Sequence, residues 1–80
     1  MSEASEIIVE TARVVQEMSR AVEILSERYS FLALDYLQDL TLYGRDITDA
    51  IHDDDLDMAR KHLTDLKERV SNARYDAISV

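Results

Sequence analysis

The sequence predicts an all-α fold: an antiparallel three-helix bundle with coiled-coil-like heptad packing, with dimerisation as a further expectation. Three observations predict it. Apolar side chains recur at alternating spacings of 3 and 4 in both the first and the last third of the chain, a period that helices use when they pack side by side and that strands do not. One glycine and no proline among 80 residues leave little material for hairpins, phosphate-cradling loops or strained nucleophile turns. The run Asp53-Asp54-Asp55-Leu56-Asp57 is a helix-start signal, because aspartate side chains accept from the free N–H groups of a first turn. At 46% apolar and 32% charged residues the chain is globular in composition, and its length fits one domain over residues 1–80.

The first helix is expected over 4–27. Ile8, Thr11, Val15, Met18, Val22 and Leu25 form its seam, which runs on through Tyr29, Leu32 and Tyr36. Ile7, Val14 and Ala21 lie beside the seam and widen the apolar face enough for two neighbours. Nothing from Ser26 to Ser30 forbids helix, so a continuous rod over 5–52, about 70 Å long, is the competing reading. Such a rod would need another chain to cover its seam. A break capped by Ser26 or Ser30 instead gives three helices of about 35 Å each, and matched lengths suit a bundle that folds back on itself.

The second helix is expected over 30–52. At 100° per residue, Tyr29, Leu32, Tyr36, Leu40, Tyr43, Ile47 and Ala50 share one arc, flanked by Ala33, Leu37, Gly44 and Ile51, and this arc is the expected core face. Tyr29, Tyr36 and Tyr43 stand seven apart, so they stack along one edge with hydroxyls toward its rim. Gly44 costs a helix interior about 1 kcal/mol against alanine, and a close helix crossing or a kink would account for it. His52 closes the helix, where partial positive charge suits the dipole.

The third helix is expected over 54–78, with Asp54 as N-cap and Asp57 at the acidic position of a capping box. Its seam of Leu56, Ala59, Leu63, Leu66, Val70, Ala73, Ala77 and Val80 keeps the same rhythm to the last residue.

Phe31, Leu34 and Leu42 fall outside the core arc. With Gln38 they make a strip on the opposite side of the second helix, where a monomeric bundle puts solvent. Two readings follow: the strip is a contact surface for a second copy or another protein, or Phe31 and Leu34 cover the end of the bundle at the inter-helix corner.

Asp35, Asp39, Asp46, Asp49 and Asp53 line one flank of the second helix. Spread over about 27 Å, they fall well short of the ~16 charges duplex DNA carries in that length, so DNA mimicry would need Glu10, Glu17, Glu23 or another subunit as well. An antiparallel pairing of the second and third helices instead brings Asp46 near His62 and Asp39 near Arg69. Arg60, Lys67 and Arg74, also seven apart, read as an orienting edge rather than a phosphate track.

Catalysis is not expected, because no base stands beside a nucleophile and the carboxylates lie on exposed stripes where nothing raises their pKa. No cofactor is implied. No metal is implied either: His52 and His62 lack ligand spacing, and the aspartate run lacks the order of a calcium loop. Seventeen acidic against nine basic residues give a net charge of -8, which argues against direct nucleic-acid and anionic-membrane partners. The longest nearly apolar stretch, Phe31 to Leu34, is far below the ~20 residues of a membrane span. Residues 1–6 do not resemble a signal peptide, and without cysteine the chain has no disulfide framework, so a cytoplasmic location is expected.

The heptads and acidic caps resemble many small bundles in architecture alone, which does not carry function. The expectation is a non-enzymatic protein-binding module, an adaptor or inhibitor. It would use Phe31, Leu34, Gln38 and Leu42 with Asp35, Asp39, Asp46, Asp49 and Asp53 to hold a basic partner. A self-assembling helical homo-oligomer and a DNA-mimicking inhibitor are the alternatives.

Overall fold

A computed structural model describes residues 2–79 as three helices, α1 (Glu3–Ser26), α2 (Ser30–His52) and α3 (Leu56–Ser79), each packed against the other two. Met1 lies outside the described residues, as does Val80, the expected last member of the α3 seam. The break between α1 and α2 rules out the continuous rod, and α2 has the boundaries expected of it.

Cross-links between helices set their directions. Glu3 pairs with Arg60, Glu10 with Lys67 and Glu17 with Arg74, a constant offset of 57 residues, so α1 and α3 run parallel. Tyr36 reaches Asp76 while Asp39 reaches Arg69, so α2 runs antiparallel to α3. The topology is therefore up, down, up. The row Arg60, Lys67, Arg74 is an orienting edge as expected, and its acidic partners on α1 share its seven-residue repeat. Each exposed pair contributes only ~0–1 kcal/mol, but repeated at one offset they favour a single register.

The core contains Ile7, Val14, Met18, Ala21 and Leu25 from α1, Ala33, Tyr36, Ile47 and Ala50 from α2, and Ala59, Leu63, Leu66, Val70 and Ala73 from α3. Burial of each large member contributes roughly 1.5–3 kcal/mol. The α3 seam is as expected. On α1 the buried row is 7, 14, 21 rather than 8, 15, 22: Ile8 is 52% exposed, and Val15 and Val22 are half-buried. The offset has a physical cause. Met18 and Leu25 are common to both rows, and α3 draws the helix toward its Glu3, Glu10, Glu17 flank, turning Ile8 outward. Two members expected on the α2 core face, Tyr29 and Leu37, are also exposed. The expected tyrosine stack is therefore graded, from exposed Tyr29 through half-buried Tyr43 to buried Tyr36.

The capping residues differ from expectation at two helix starts. Neither Ser26 nor Ser30 caps α2: Ser26 donates to the Glu23 carbonyl, and Tyr29 occupies the N-cap position without a side-chain hydrogen bond. Asp54 is not the N-cap of α3. It closes α2, with φ 57° and its N–H donating to the Ile51 carbonyl, while the Asp55 N–H donates to Ala50. This is the Schellman arrangement, which places one residue in left-handed conformation. Asp55 is then the cap of α3, its Oδ1 accepting from the Met58 N–H at 3.2 Å, so Asp57 is one residue too early for a capping box. The sequence contains the cap for α1 as well: Ser2 Oγ accepts from the Ser5 N–H at 3.1 Å.

Gly44 does not mark a close helix crossing. The helix is continuous from Ser30 to His52, and a Cβ at position 44 would meet no atom within 4 Å.

Two stability predictions follow from these positions. Gly44→Ala should stabilise the fold by up to about 1 kcal/mol, raising the melting temperature by roughly 4–8 °C in a domain of this size; a lower melting temperature would mean the space is needed. In urea unfolding, Asp55→Ala should lose ~0.5–2 kcal/mol while Asp54→Gly gains stability by relieving the left-handed backbone. The reverse order would restore Asp54 as the cap.

Candidate functional site

Helical geometry places α2 with one face in the core and the other in solvent, and its outer face is apolar over more than two turns. Phe31 is 84% exposed, Leu34 58%, Leu37 45% and Leu42 42%, with Gln38 exposed between them. Phe31 and Leu34 therefore do not cover the bundle's end; they face water. Large contiguous apolar surface is unusual on a soluble monomer and marks contact sites. Leu37 belongs to this face although its spacing suggested the core, and Thr41 continues the surface without charge.

The acidic flank divides into two parts. Asp39 is committed within the molecule, accepting from Arg69 Nε at 2.7 Å and lying 2.6 Å from its Nη2. Asp35, Asp46, Asp49 and Asp53 form no ion pair among the described residues. Asp46 and His62 line the same shallow groove with Asp49, Asp53, Asp55 and Met58, near one another as expected, and form no ion pair among the described residues. Their positions agree with the antiparallel register; their side chains stop short of each other. Arg45, the sole Lys or Arg on α2, is exposed at the end of the apolar strip and forms no ion pair among the described residues.

Between α2 and α3 lies a polar clasp absent from the sequence reading. The Tyr36 hydroxyl donates to Asp76 Oδ2 at 2.6 Å, and the Arg69 guanidinium lies 5.3 Å from the Tyr36 ring centroid. Burial of Tyr36, helped by this hydrogen bond and the Asp76 charge, pushes its pKa up to about 12 against the opposing pull of Arg69. The hydrogen bond to Asp39 likewise holds Arg69 above the ordinary guanidinium value, and the hydrogen bond from Lys67 holds Glu10 below the usual carboxylate range. All three shifts arise from contacts between helices, and none lies in an enclosed cavity.

A second apolar area lies between α1 and α3, in neighbouring open grooves of about 320 and 390 Å³ lined in part by Ile24, Tyr75 and Ile78. Sequence reasoning missed it, although Ile24 and Ile78 falling off their seams was the available signal. Among the described residues, no buried polar side chain lacks a hydrogen-bond partner and no group of three metal-ligating side chains comes together. Among the described residues no helix is long and apolar enough to cross a membrane. Aliphatic and aromatic side chains beside unpaired carboxylates are suited to holding another polypeptide.

No family model, curated protein or solved structure matches the chain.

The Tyr36 clasp predicts an alkaline transition. A tyrosine raised from 10.0 to about 12 in the folded chain releases its proton more easily when unfolded, so its contribution is intact below pH ~10 and is lost as pH rises toward 12. Tyrosinate absorbance should show an ionisation near pH 12 that Tyr36→Phe removes. Persistence of that step in the variant would assign it elsewhere.

Proposed function

We propose that the chain is a non-enzymatic protein-binding module, an intracellular adaptor or inhibitor, whose outer α2 face receives a basic partner. The observation that carries this reading is Phe31, 84% exposed, at the head of a strip shared with Leu34, Leu37, Gln38 and Leu42, with unpaired Asp35 and Asp49 on its edge. The apolar side chains supply affinity when a partner excludes water from them, because a few desolvated anchors dominate most interfaces. The carboxylates supply encounter rate and orientation toward positive charge. Net charge of -8 adds a long-range field of the same sign, so a partner of like charge is disfavoured.

The non-enzymatic part of the reading rests on the site's chemistry. Its titratable groups are surface carboxylates on the outer side of a helix, which offers no enclosure for substrate. A DNA-like charge array is the weaker alternative, because Asp39, Glu10 and Glu17 are already paired with cations of α3.

The test uses a labelled amphipathic peptide made of leucine and lysine. Fluorescence anisotropy should show binding that weakens at least about tenfold with Phe31→Ala and also weakens as salt rises from about 50 to 500 mM, while circular dichroism of the variant is unchanged. Indifference to both changes would end the basic-partner reading.

A further inference from the structure

We propose that, when no other partner is bound, the outer face of α2 is covered by the same face of a second copy, in an antiparallel two-fold pair centred on Gln38. The proposal rests on the reading that this face is an interaction surface, and it identifies what occupies it at rest.

The residues on the strip are self-complementary about Gln38. Leu34 and Leu42 lie four positions to either side, and Phe31 and Arg45 seven positions to either side. A helix with 3.6 residues per turn places all five on one face. When an antiparallel copy is set against it, a residue at a given distance before Gln38 shares a layer with the residue equally far after Gln38 in the other chain. Leu34 then packs beside the second copy's Leu42, and the reverse layer repeats this by symmetry. Phe31 comes beside the second copy's Arg45, so the one Lys or Arg of α2, which forms no ion pair among the described residues, meets an exposed aromatic ring in cation–π geometry. Gln38 meets its own copy at the axis, where paired amides set a register as a central polar residue does in coiled coils.

The acidic flank does not oppose this alignment near its centre. Asp35 comes level with Thr41 of the second copy and Asp46 with Ser30, so neither acid shares a layer with another carboxylate. Asp49 comes level with Glu27, which lies beyond the start of α2, and that repulsion confines the contact to the span from Phe31 to Arg45. A parallel pair would instead stack Asp35 on Asp35 and Arg45 on Arg45, like on like.

Size sets the expected strength. The strip covers about 21 Å by 10 Å on each chain, well under the ~800 Å² per partner of a standard interface. The association is therefore reversible and concentration-dependent. Two chains of net charge -8 repel at long range, so added salt strengthens the pair, opposite in sign to its effect on a basic partner.

Sedimentation equilibrium up to about 1 mM chain should show a monomer–dimer equilibrium that shifts at least about tenfold toward dimer in high salt. Leu42→Glu and Arg45→Glu should each shift it toward monomer without loss of helix content; the exposed Arg45 provides this control if Leu42→Glu proves unstable. Because the chain contains no cysteine, single-cysteine variants report position cleanly. Under mild oxidation Gln38→Cys, at the axis, should form disulfide-linked dimer at least about tenfold faster than Thr48→Cys, well outside the contact. A chain that stays monomeric throughout, or equal rates for the two cysteine variants, overturns the two-fold pair. If that monomer still binds the leucine–lysine peptide through Phe31, the interaction-face reading survives without the dimer. A dimer indifferent to the peptide supports the pair and removes the basic partner.

Discussion

No helix of this chain can bury its apolar stripe without both of the others. The α1 stripe has Ile7, Met18 and Leu25 fully buried, α2 contributes Ile47 and α3 Leu66, and these large side chains fill one shared core. Each helix is 23 or 24 residues long, and in a folded protein most helical stability comes from packing such an amphipathic face rather than from propensity. The three-way contact therefore holds the secondary structure itself in place, and the caps and turns adjust to it. Tyr29, an unusual N-cap without a side-chain hydrogen bond, is tolerated at the start of α2 because packing, rather than the cap, secures that end.

Charge does a different job on each side of the bundle. Between α1 and α3, three acid–base pairs at a common offset select one register, and between α2 and α3 the Arg69–Asp39 pair and the Tyr36–Asp76 hydrogen bond select another. These contacts use four of the nine cations. Of the acids that form no ion pair among the described residues, Asp35, Asp46 and Asp49 lie along α2 and Asp53, Asp54 and Asp55 in the turn that follows it. The outer face of α2 is thus one place where unpaired carboxylate and uncovered hydrocarbon lie together after folding.

The aspartate run shows how a correct signal can be assigned to the wrong residue. Five consecutive positions with four aspartates announce a helix boundary, but a short connection must end one helix and begin the next. Asp54 adopts the left-handed conformation that ends α2, which leaves Asp55 to cap α3. Spacing along the chain could not separate these roles, since either aspartate accepts from a first-turn N–H equally well. The shift of the α1 core row from Ile8 to Ile7 is of the same kind. Two adjacent apolar rows are nearly equivalent on a lone helix, and contact with α3 breaks the tie.

Helix content, helix number and the antiparallel order of α2 and α3 were legible in the residues alone, because they depend on periodicity and on turn chemistry that act within a few positions. So was the outward strip of Phe31, Leu34, Gln38 and Leu42, since a helix cannot turn its two opposite faces inward at once. The rotation of α1 about its axis, the exposure of Leu37 and the pairing of Glu3, Glu10 and Glu17 with α3 were settled by the folded arrangement. So was the Tyr36–Asp76 clasp, which joins residues 40 positions apart. Each of these depends on how close two helices lie and how each is turned about its own axis, quantities set by packing all three helices together.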